Sequence, residues 1–599
     1  MLISARKGEW VLHNGKILTL EKGREPVQAL AIRDGLIEAA GDTREVLAFA
    51  GAEAERIDLR GKTVIPGLND SHIHLIRGGL SFNIELRWDG VTSLADGMSM
   101  LKEQVKRTPP PQWVRVVGGW TGNQFRERRL PTLDELNEAA PETPVFLLHL
   151  YDRALMNRAA LRAAGFSRET PDSPGAIIDR DRSGNPTGLI IANPNASLLY
   201  STLAKGPKLD YGDQLNSTRQ FMRELNRLGV TSVIDAGGGS HYYPEDYQVI
   251  EELHREELLT VRIAYNLFTQ KPGGELNQFK EWTKAVSYGG GDRFYRANGA
   301  GEMLVFSATD FEDFYAPRPD LPAHMEQDLE GVVRHLASSG WPFRLHATYD
   351  ESIRRALKVY ERVDRDIPLN GLHWFIDHAE TISDESIDRI ARMGGGIAIQ
   401  HRMAFQGEQF TARYGTEQTE RTPPIRRILE AGVPLGAGTD ATRVASYNPF
   451  VALYWLICGR TVGGMELYPE TNRLSRLKAL ELYTAGSSWF SNEQGCKGTL
   501  APGQYADLAV LSGDFLGMDE EEIPGLESLL TMVGGKVVYA TGEFRAYGPP
   551  GLPVSPDWSP MRRFGTYQAP GRKVGATITS CCTHRSAFHG LLNCDCFAF

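Results

Sequence analysis

The run Val64-Ile65-Pro66-Gly67-Leu68-Asn69-Asp70-Ser71-His72-Ile73-His74-Leu75 carries two histidines separated by one isoleucine. In a β-strand the side chains at i and i+2 project from the same face. His72 and His74 would then present two imidazoles side by side at a strand end, and neutral imidazole is the commonest protein ligand for zinc and similar cations. Alone, a His-x-His pair is explained equally well by a loop. Other residues decide between these readings. His346 closes the apolar run 341–345, His378 closes 372–377, and Asp440 ends Gly436-Ala437-Gly438-Thr439. A single strand-end histidine is more often structural than a ligand. The ordered set His-x-His, His, His, Asp is a metal constellation with imidazole and carboxylate donors.

To bring these residues together, the chain needs parallel strands that deliver their C-terminal ends to one mouth. The centre of the sequence alternates apolar runs with helical stretches, the pattern of βαβ units. After the first histidine strand, such runs recur at 230–235, 260–265, 301–306, 343–346, 374–378, 396–400 and 433–440. That is the number of strands that closes a (β/α)8, TIM-type barrel, whose catalytic residues lie at the C-terminal strand ends. The expected fold class is α/β, with the barrel over 63–485 and a large insertion after its first strand, about 79–214. Strand-like runs inside the insertion are expected at 113–117 and 145–148. Placed at that face, the insertion would overhang the site. Short strands with Asn-Gly and Asp-Gly turns fill 1–62, and a strand at 506–511 and a hairpin at 531–539 return over 486–546, which predicts one β-sandwich built from both chain ends. The tail, 547–599, reads as a disordered extension rich in Pro, Gly and Arg. Its Cys581, Cys582, Cys594 and Cys596 do not have a standard zinc spacing.

Composition narrows the partners. A formal net charge of -10 argues against nucleic acid or a polybasic membrane contact. No run of about eighteen apolar residues is present to span a bilayer. The N-terminus, Met1-Leu2-Ile3-Ser4-Ala5-Arg6-Lys7, has no apolar core of a signal peptide. With only Cys458 and Cys496 in the body of the chain there is no disulfide framework, so a reducing, cytoplasmic setting is expected. The sequence leaves homo-oligomerisation open. Gly237-Gly238-Gly239 lacks the Lys-Ser/Thr of a phosphate loop, so phosphate cradling is not expected there.

Several longer motifs carry a family resemblance. They are 66–74; Asn157-Arg158-Ala159-Ala160-Leu161 followed by Gly184-Asn185-Pro186-Thr187-Gly188; Gly438-Thr439-Asp440-Ala441; and 479–484 leading to Gly498-Thr499-Leu500 and 502–507. Over nearly all of 10–545 the chain resembles the amidohydrolase superfamily, and within it the amidohydrolase 3 family of YtcJ-like and N-substituted formamide deformylase-like proteins. The resemblance implies that His72 and His74 hold a first metal and that His346 and His378 hold a second position. Asp440 would bind metal and act as general base, with Asp440 and His346 as the catalytic residues. Many relatives carry a carboxylated lysine on the fourth strand. The matching run 295–304 has none, so Glu302 either takes that bridging place or pairs with a cation such as Arg296. Asp70 and Asp377 are expected behind the ligands, orienting the rings, or as solvent-facing caps.

Relatives tend to show Asp-Gly-His before the Asn-x-x-Ala-Leu segment, where this chain has Leu150-Tyr151-Asp152, so the accepted substrate is expected to differ. Trp120 and Tyr151 either line the substrate pocket or pack the insertion. Arg402 either holds a substrate carboxylate or forms a structural salt bridge. The implied cofactor is one or two divalent ions, with zinc first and manganese, iron or cobalt compatible with the same donors. The implied reaction is hydrolysis of a C–N bond, in a small non-peptide or cyclic amide, by metal-activated water. Ester or lactone hydrolysis, or a catalytically silent binding protein on the same scaffold, are the alternatives.

Overall fold

The computed structural model describes residues 10–568, apart from 51, 173–174, 194–195, 240, 311–313, 315–317 and 319. Its centre is α/β. Four parallel strands, β1 (Leu68–Ile73), β2 (Val230–Asp235), β3 (Arg262–Leu267) and β4 (Tyr295–Ala300), form one sheet. A second parallel sheet holds β5 (Arg344–Ala347), β6 (Phe375–His378), β7 (Gly396–Gln400) and β8 (Leu435–Gly438). All are buried along their length apart from Arg296, as strands covered on both faces must be.

The two sheets meet at both edges. Between β4 and β5, Ala300 N donates to Pro342 O at 2.9 Å and His346 N to Glu302 O at 3.0 Å. Between β8 and β1, Asp440 N donates to His72 O at 2.7 Å and His74 N to Ala441 O at 2.9 Å. Gly438 is what permits the second approach. A Cβ there would lie 2.5 Å from the His72 nitrogen. Helices between strands bury one stripe each. Asp350–Asp364 turns Ile353, Ala356, Leu357, Tyr360 and Val363 inward, an i, i+3, i+4, i+7 spacing.

One strand lies earlier than its apolar pattern indicates. The run 301–306 is a buried loop and 3-10 turn, and the strand is 295–300, through Asn298 and Gly299. Gly299 has φ +116° and a Cβ there would be 2.2 Å from Pro342 O. Close approach to the next strand thus selected a residue with low β-propensity.

Both chain ends share the terminal β structure. Lys16–Ile17 and Thr63–Pro66 join Leu508–Leu511, Ser528–Val533 and Lys536–Ala540 in one five-stranded sheet. The strands Trp10–His13, Ala29–Arg33, Leu36–Gly41 and Glu55–Asp58 form another, and Leu12, Ile32 and Ile57 pack with Val64, Leu508 and Leu530 in one buried cluster. Arg262 on β3 ties the terminal sheet to the centre through Asp507, at 2.7 and 3.0 Å.

The insertion forms its own six-stranded sheet, Glu85–Leu86 through Pro186–Asn193. Alternate residues serve opposite faces: Val116 and Leu147 lie in one buried cluster, Val117 and Leu148 in another. No helix among the described residues is long and apolar enough to cross a membrane.

The expectation of a disordered extension from 547 needs correction as far as 568. Gln220, Asn216, Asn83 and Gln104 donate side-chain amides to the carbonyls of Leu552, Pro553, Ser555 and Trp558 at 2.7–2.8 Å. Ser559 donates back to Asn83 O, and Gln568 N to Asp89 O. Proline and glycine suit an extended strap when another surface satisfies its backbone, which composition alone does not reveal. Cys581, Cys582, Cys594 and Cys596 lie outside the described residues. Deleting 549–599 should lower stability by about 6 kcal/mol, at roughly 1 kcal/mol for each of the six hydrogen bonds named. Denaturant unfolding measures it, and an unchanged midpoint would mean the strap contributes nothing.

Candidate metal centre

Four strand ends and one loop converge on one enclosed point. His72 and His74 end β1, His346 lies in β5, His378 ends β6, and Asp440 follows β8. Glu302 enters from the loop after β4. These residues are at most 5% exposed. His74 Nε2 is 3.1 Å from Asp440 Oδ1, and His72 Nε2 is 3.5 Å from the same oxygen. Glu302 Oε2 lies 3.6 Å from His72 Nε2, 3.5 Å from His378 Nε2 and 3.2 Å from His346 Nδ1.

Two triads have ligand atoms that converge: His72, His74 and Asp440; and His72, Glu302 and His378. His72 is common to both. This grouping differs from the expected one, in which His346 and His378 held the second position. His346 stands outside both triads, with Nδ1 toward Glu302 and Nε2 3.4 Å from Thr348 Oγ1. Its ring nonetheless lies beside the second triad, 4.1 Å between centroids from His378.

The donor chemistry fits a cation. His72 Nε2 and both ring nitrogens of His378 are buried without a hydrogen-bond partner among the described residues. Burying such atoms unpaired costs about 1–3 kcal/mol each, so a ligand for them is favoured. The other nitrogens of the first pair are occupied. His72 Nδ1 is 3.0 Å from Asp377 Oδ1, and His74 Nδ1 meets the Gly237 carbonyl. His74 Nδ1 faces a carbonyl and must donate, so that ring turns its Nε2 lone pair toward the centre, whereas His72 Nδ1 lies between Asp377 Oδ1 and Arg344 Nη2, the latter at 2.6 Å.

Burial opposes charge on Asp440, but His72, His74 and His378 outweigh it and hold the carboxyl below its usual range. Glu302 behaves alike: burial raises it, and His72, His346 and His378 bring it well below. Two backbones are in the left-handed region, His378 at φ 73° and Asp440 at φ 53°. Non-glycine residues are seldom held there, and such positions concentrate at functional sites.

Of the two acids expected behind the ligands, Asp377 orients His72 and is itself gripped by Arg344, Nε to Oδ2 at 2.7 Å. Asp70 does something else. It accepts from His72 N and from Thr439 N and Oγ1, at 3.0, 3.0 and 2.6 Å, and so fastens β8 to β1. Its carboxylate is taken up by the backbone of His72 and by the backbone and hydroxyl of Thr439, and no imidazole nitrogen hydrogen-bonds to it.

Arg402 is buried. Its Nη1 is 3.2 Å from Thr348 Oγ1 and 3.8 Å from Glu380 Oε1, and its guanidinium lies 5.5 Å from the Tyr151 ring. Trp120 is packed inside the insertion, edge-on to Trp88 at 5.0 Å and beside Phe125 and His149. Tyr151 lies between Tyr200 of the insertion, at 5.9 Å, and the Arg402 guanidinium, and burial, with Tyr200 next, keeps its proton on.

The sequence reading missed Glu380, two residues beyond His378, and Arg77 and Arg443, each three residues beyond a ligand. Their signal was their distance past a ligand at a strand end, where a barrel-type mouth is built. Glu380 is fully buried, with both oxygens lacking a hydrogen-bond partner among the described residues.

The model of the amidohydrolase family matches residues 55–539. The chain belongs to the amidohydrolase family. Among relatives of this amidohydrolase is the putative amidohydrolase YtcJ of Bacillus subtilis (strain 168), 26% identical over 88% of this chain and 99% of the relative. The N-substituted formamide deformylase of Arthrobacter pascens is also 26% identical, over 88% of this chain and 97% of that protein. An uncharacterized metal-dependent hydrolase from Pyrococcus horikoshii OT3 shares the fold, with a TM-score of 0.61 and 22% identity over 85% of this chain and 99% of the other. Family membership supports a hydrolase.

Proposed function

We propose that this amidohydrolase cleaves the C–N bond of a small, non-peptide amide or cyclic amide, with a divalent cation held by His72, His74, Glu302, His378 and Asp440. The observation that carries the proposal is the pair of converging triads sharing His72, with imidazole nitrogens buried unpaired. The deformylase relative supports the amide over an ester or lactone. We also propose that the eight parallel strands close into a (β/α)8 barrel, supported by the hydrogen bonds at both sheet edges. The domains follow: the barrel over 63–485 with its insertion, and a terminal β-sandwich from 1–62 and 486–546.

Held by these residues, a divalent cation would supply a water made acidic, with a pKa toward about 7, and Lewis-acid polarisation of a carbonyl oxygen. The chain's residues do the rest. Asp440, held ionised, accepts the water proton and returns it to the leaving nitrogen. Glu302 places a second anionic oxygen 3.2–3.6 Å from three imidazoles and would hold a cation together with His72 and His378. His346 hydrogen-bonds Glu302 and fixes its carboxylate. Zinc suits these donors, and manganese, iron and cobalt share them. Tyr151 and Arg402 lie where a substrate would meet the insertion.

Elemental mass spectrometry of purified protein tests this, with wild type against Glu302→Ala. Two ions in the wild type and fewer in the variant support Glu302 as a bridge. One ion in both makes the site mononuclear. No ion in either after repletion overturns the metal-dependent reading.

A further inference from the structure

Two arginines stand at the mouth of the site without an acidic partner. Arg77 follows His74 in the helix Leu75–Gly79, and Arg443 follows Asp440. Neither has an ion-pair partner within 4.0 Å among the described residues. The acids that act on them are already engaged. Asp235 accepts from Ile76 N and Gly237 N, and Glu85 is paired with Arg87 and Ser81. Both guanidiniums instead face aromatic rings and each other. Arg77 lies 6.0 Å and Arg443 5.0 Å from the Tyr200 ring centroid. Burial and then Arg77 lower the affinity of Arg443 for its proton, and His241 beside them is brought down to about 3 by burial and both arginines. Arg443 Nε and the Tyr200 hydroxyl are buried without a hydrogen-bond partner among the described residues.

Arg77 and Arg443 are half-buried, and two guanidiniums held against one ring with no acid beside them repel each other, which an oxyanion between them would relieve. Two adjacent, unpaired guanidiniums with an idle phenol beside them are donors awaiting an acceptor. The elements that carry them set the direction. Tyr200 comes from the insertion helix Ser197–Leu203, and Tyr151 packs on it at 5.9 Å. Arg77 lies three residues past His74 and Arg443 three past Asp440, and His74 N is bonded to Ala441 O, which puts both arginines beside the candidate ligands. On the other side of the cluster Glu380 faces Arg402 and His378. The mouth is polarised, with its unpaired cations on the β1–β8 side under the insertion.

We propose that Arg77, Arg443 and Tyr200 form an oxyanion subsite that holds a carboxylate or phosphonate carried by the substrate, so that the hydrolase prefers anionic amides. The preference for amides rests on the function proposed above; the subsite does not. Arg77 and Arg443 would fix the distal charge while the scissile carbonyl lies against Asp440 and Glu302. The spacing between charge and amide is then a specificity determinant.

The test compares N-formyl ω-amino acids of increasing chain length with the uncharged N-formyl alkylamines of equal length, and with one series of N-formyl aminoalkylphosphonates. The expected wild-type result is a kcat/KM about 10- to 100-fold higher for an anionic member at one preferred length, the range a charge-assisted hydrogen-bond pair provides. In Arg443→Gln and Arg77→Gln that ratio should fall toward one, and Arg443→Lys should retain part of it. The phosphonate series tells which oxyanion fits. Hydrolysis with equal or better turnover of neutral amides overturns the subsite and leaves the hydrolase standing. If no amide is hydrolysed, titration calorimetry of glutarate into metal-stripped protein decides. Binding that weakens in Arg443→Gln and Arg77→Gln supports the subsite, and absence of binding to the wild type overturns it. Thermal melts check that the variants are folded. Should Arg443→Gln not fold, Arg77→Gln and Arg443→Lys carry the same comparison, and an unchanged ratio in both overturns the proposal.

Discussion

Asp440→Asn is expected to lower kcat by about 10³- to 10⁴-fold at saturating metal, the upper range of a lost general base combined with a lost anionic ligand. Asparagine is the informative replacement. Residue 440 has φ 53°, a conformation that asparagine adopts with little penalty and alanine does not. The amide keeps the size of the carboxyl and leaves the backbone donation from residue 440 to His72 O in place. What it removes is the anion that lies 3.1 Å from His74 Nε2 and 3.5 Å from His72 Nε2, and the capacity to take a proton. Metal binding measured beside kcat separates the two roles. A fall in kcat with the metal retained assigns the proton transfer to Asp440. A loss of only a few-fold would move the base elsewhere, and Glu380 is the next buried carboxylate beside His378.

The second large effect is structural, and it reaches the site through one ring. Arg344→Met should destabilise the protein by about 3–5 kcal/mol, because it strands a buried carboxylate. Arg344 and Asp377 are both 0% exposed in their side chains and joined by two bonds, at 2.7 and 2.5 Å. Without the guanidinium, Asp377 retains only His72 Nδ1, and its ionised form loses most of its support. The ring that Asp377 orients then loosens, and a fall in metal affinity of about 10- to 100-fold is expected. Chemical unfolding and a competitive metal titration read the two effects. The double variant Arg344→Met/Asp377→Leu separates them: it should recover most of the stability, since no charge is stranded, while metal affinity stays low. Recovery of both would mean that Asp377 does not position His72.

These expectations draw unequally on sequence and structure. His72 and His74 were readable because β-strand stereochemistry is local. Period two places both rings on one face wherever the strand goes, and the Pro-Gly before them marks where the terminal sheet gives way to β1. The ends of β6 and β8 were readable for the same reason: apolar runs stop at His378 and Asp440. Short strands near both termini, with Asn-Gly and Asp-Gly turns at the first, likewise pointed to one β structure, and Thr63–Pro66 does pair with Leu508–Leu511.

Grouping was another matter. His346 and His378 have the same sequence signature, yet only His378 turns its nitrogens into a triad, while His346 meets Glu302 and Thr348. Side-chain direction at a strand end depends on the neighbouring strands' register, which no local pattern encodes. Asp70 was misread because its partner, Thr439, lies on the far edge of the sheet circuit. Glu302 lies beyond a strand whose asparagine and glycines look unlike one, and Trp120 and Tyr151, similar in type and both in the insertion, were sorted only by where its sheet rests.

The sequence by itself determined the residue types, their strand-end placement and hence the class of chemistry, because these follow from backbone periodicity and donor identity. The tertiary structure alone decided which donors share a centre, which acid orients a ring, and that Arg77 and Arg443 stand unpaired beside one another. Each of those facts is a distance between side chains held by different strands, and such distances arise only when the strands are packed.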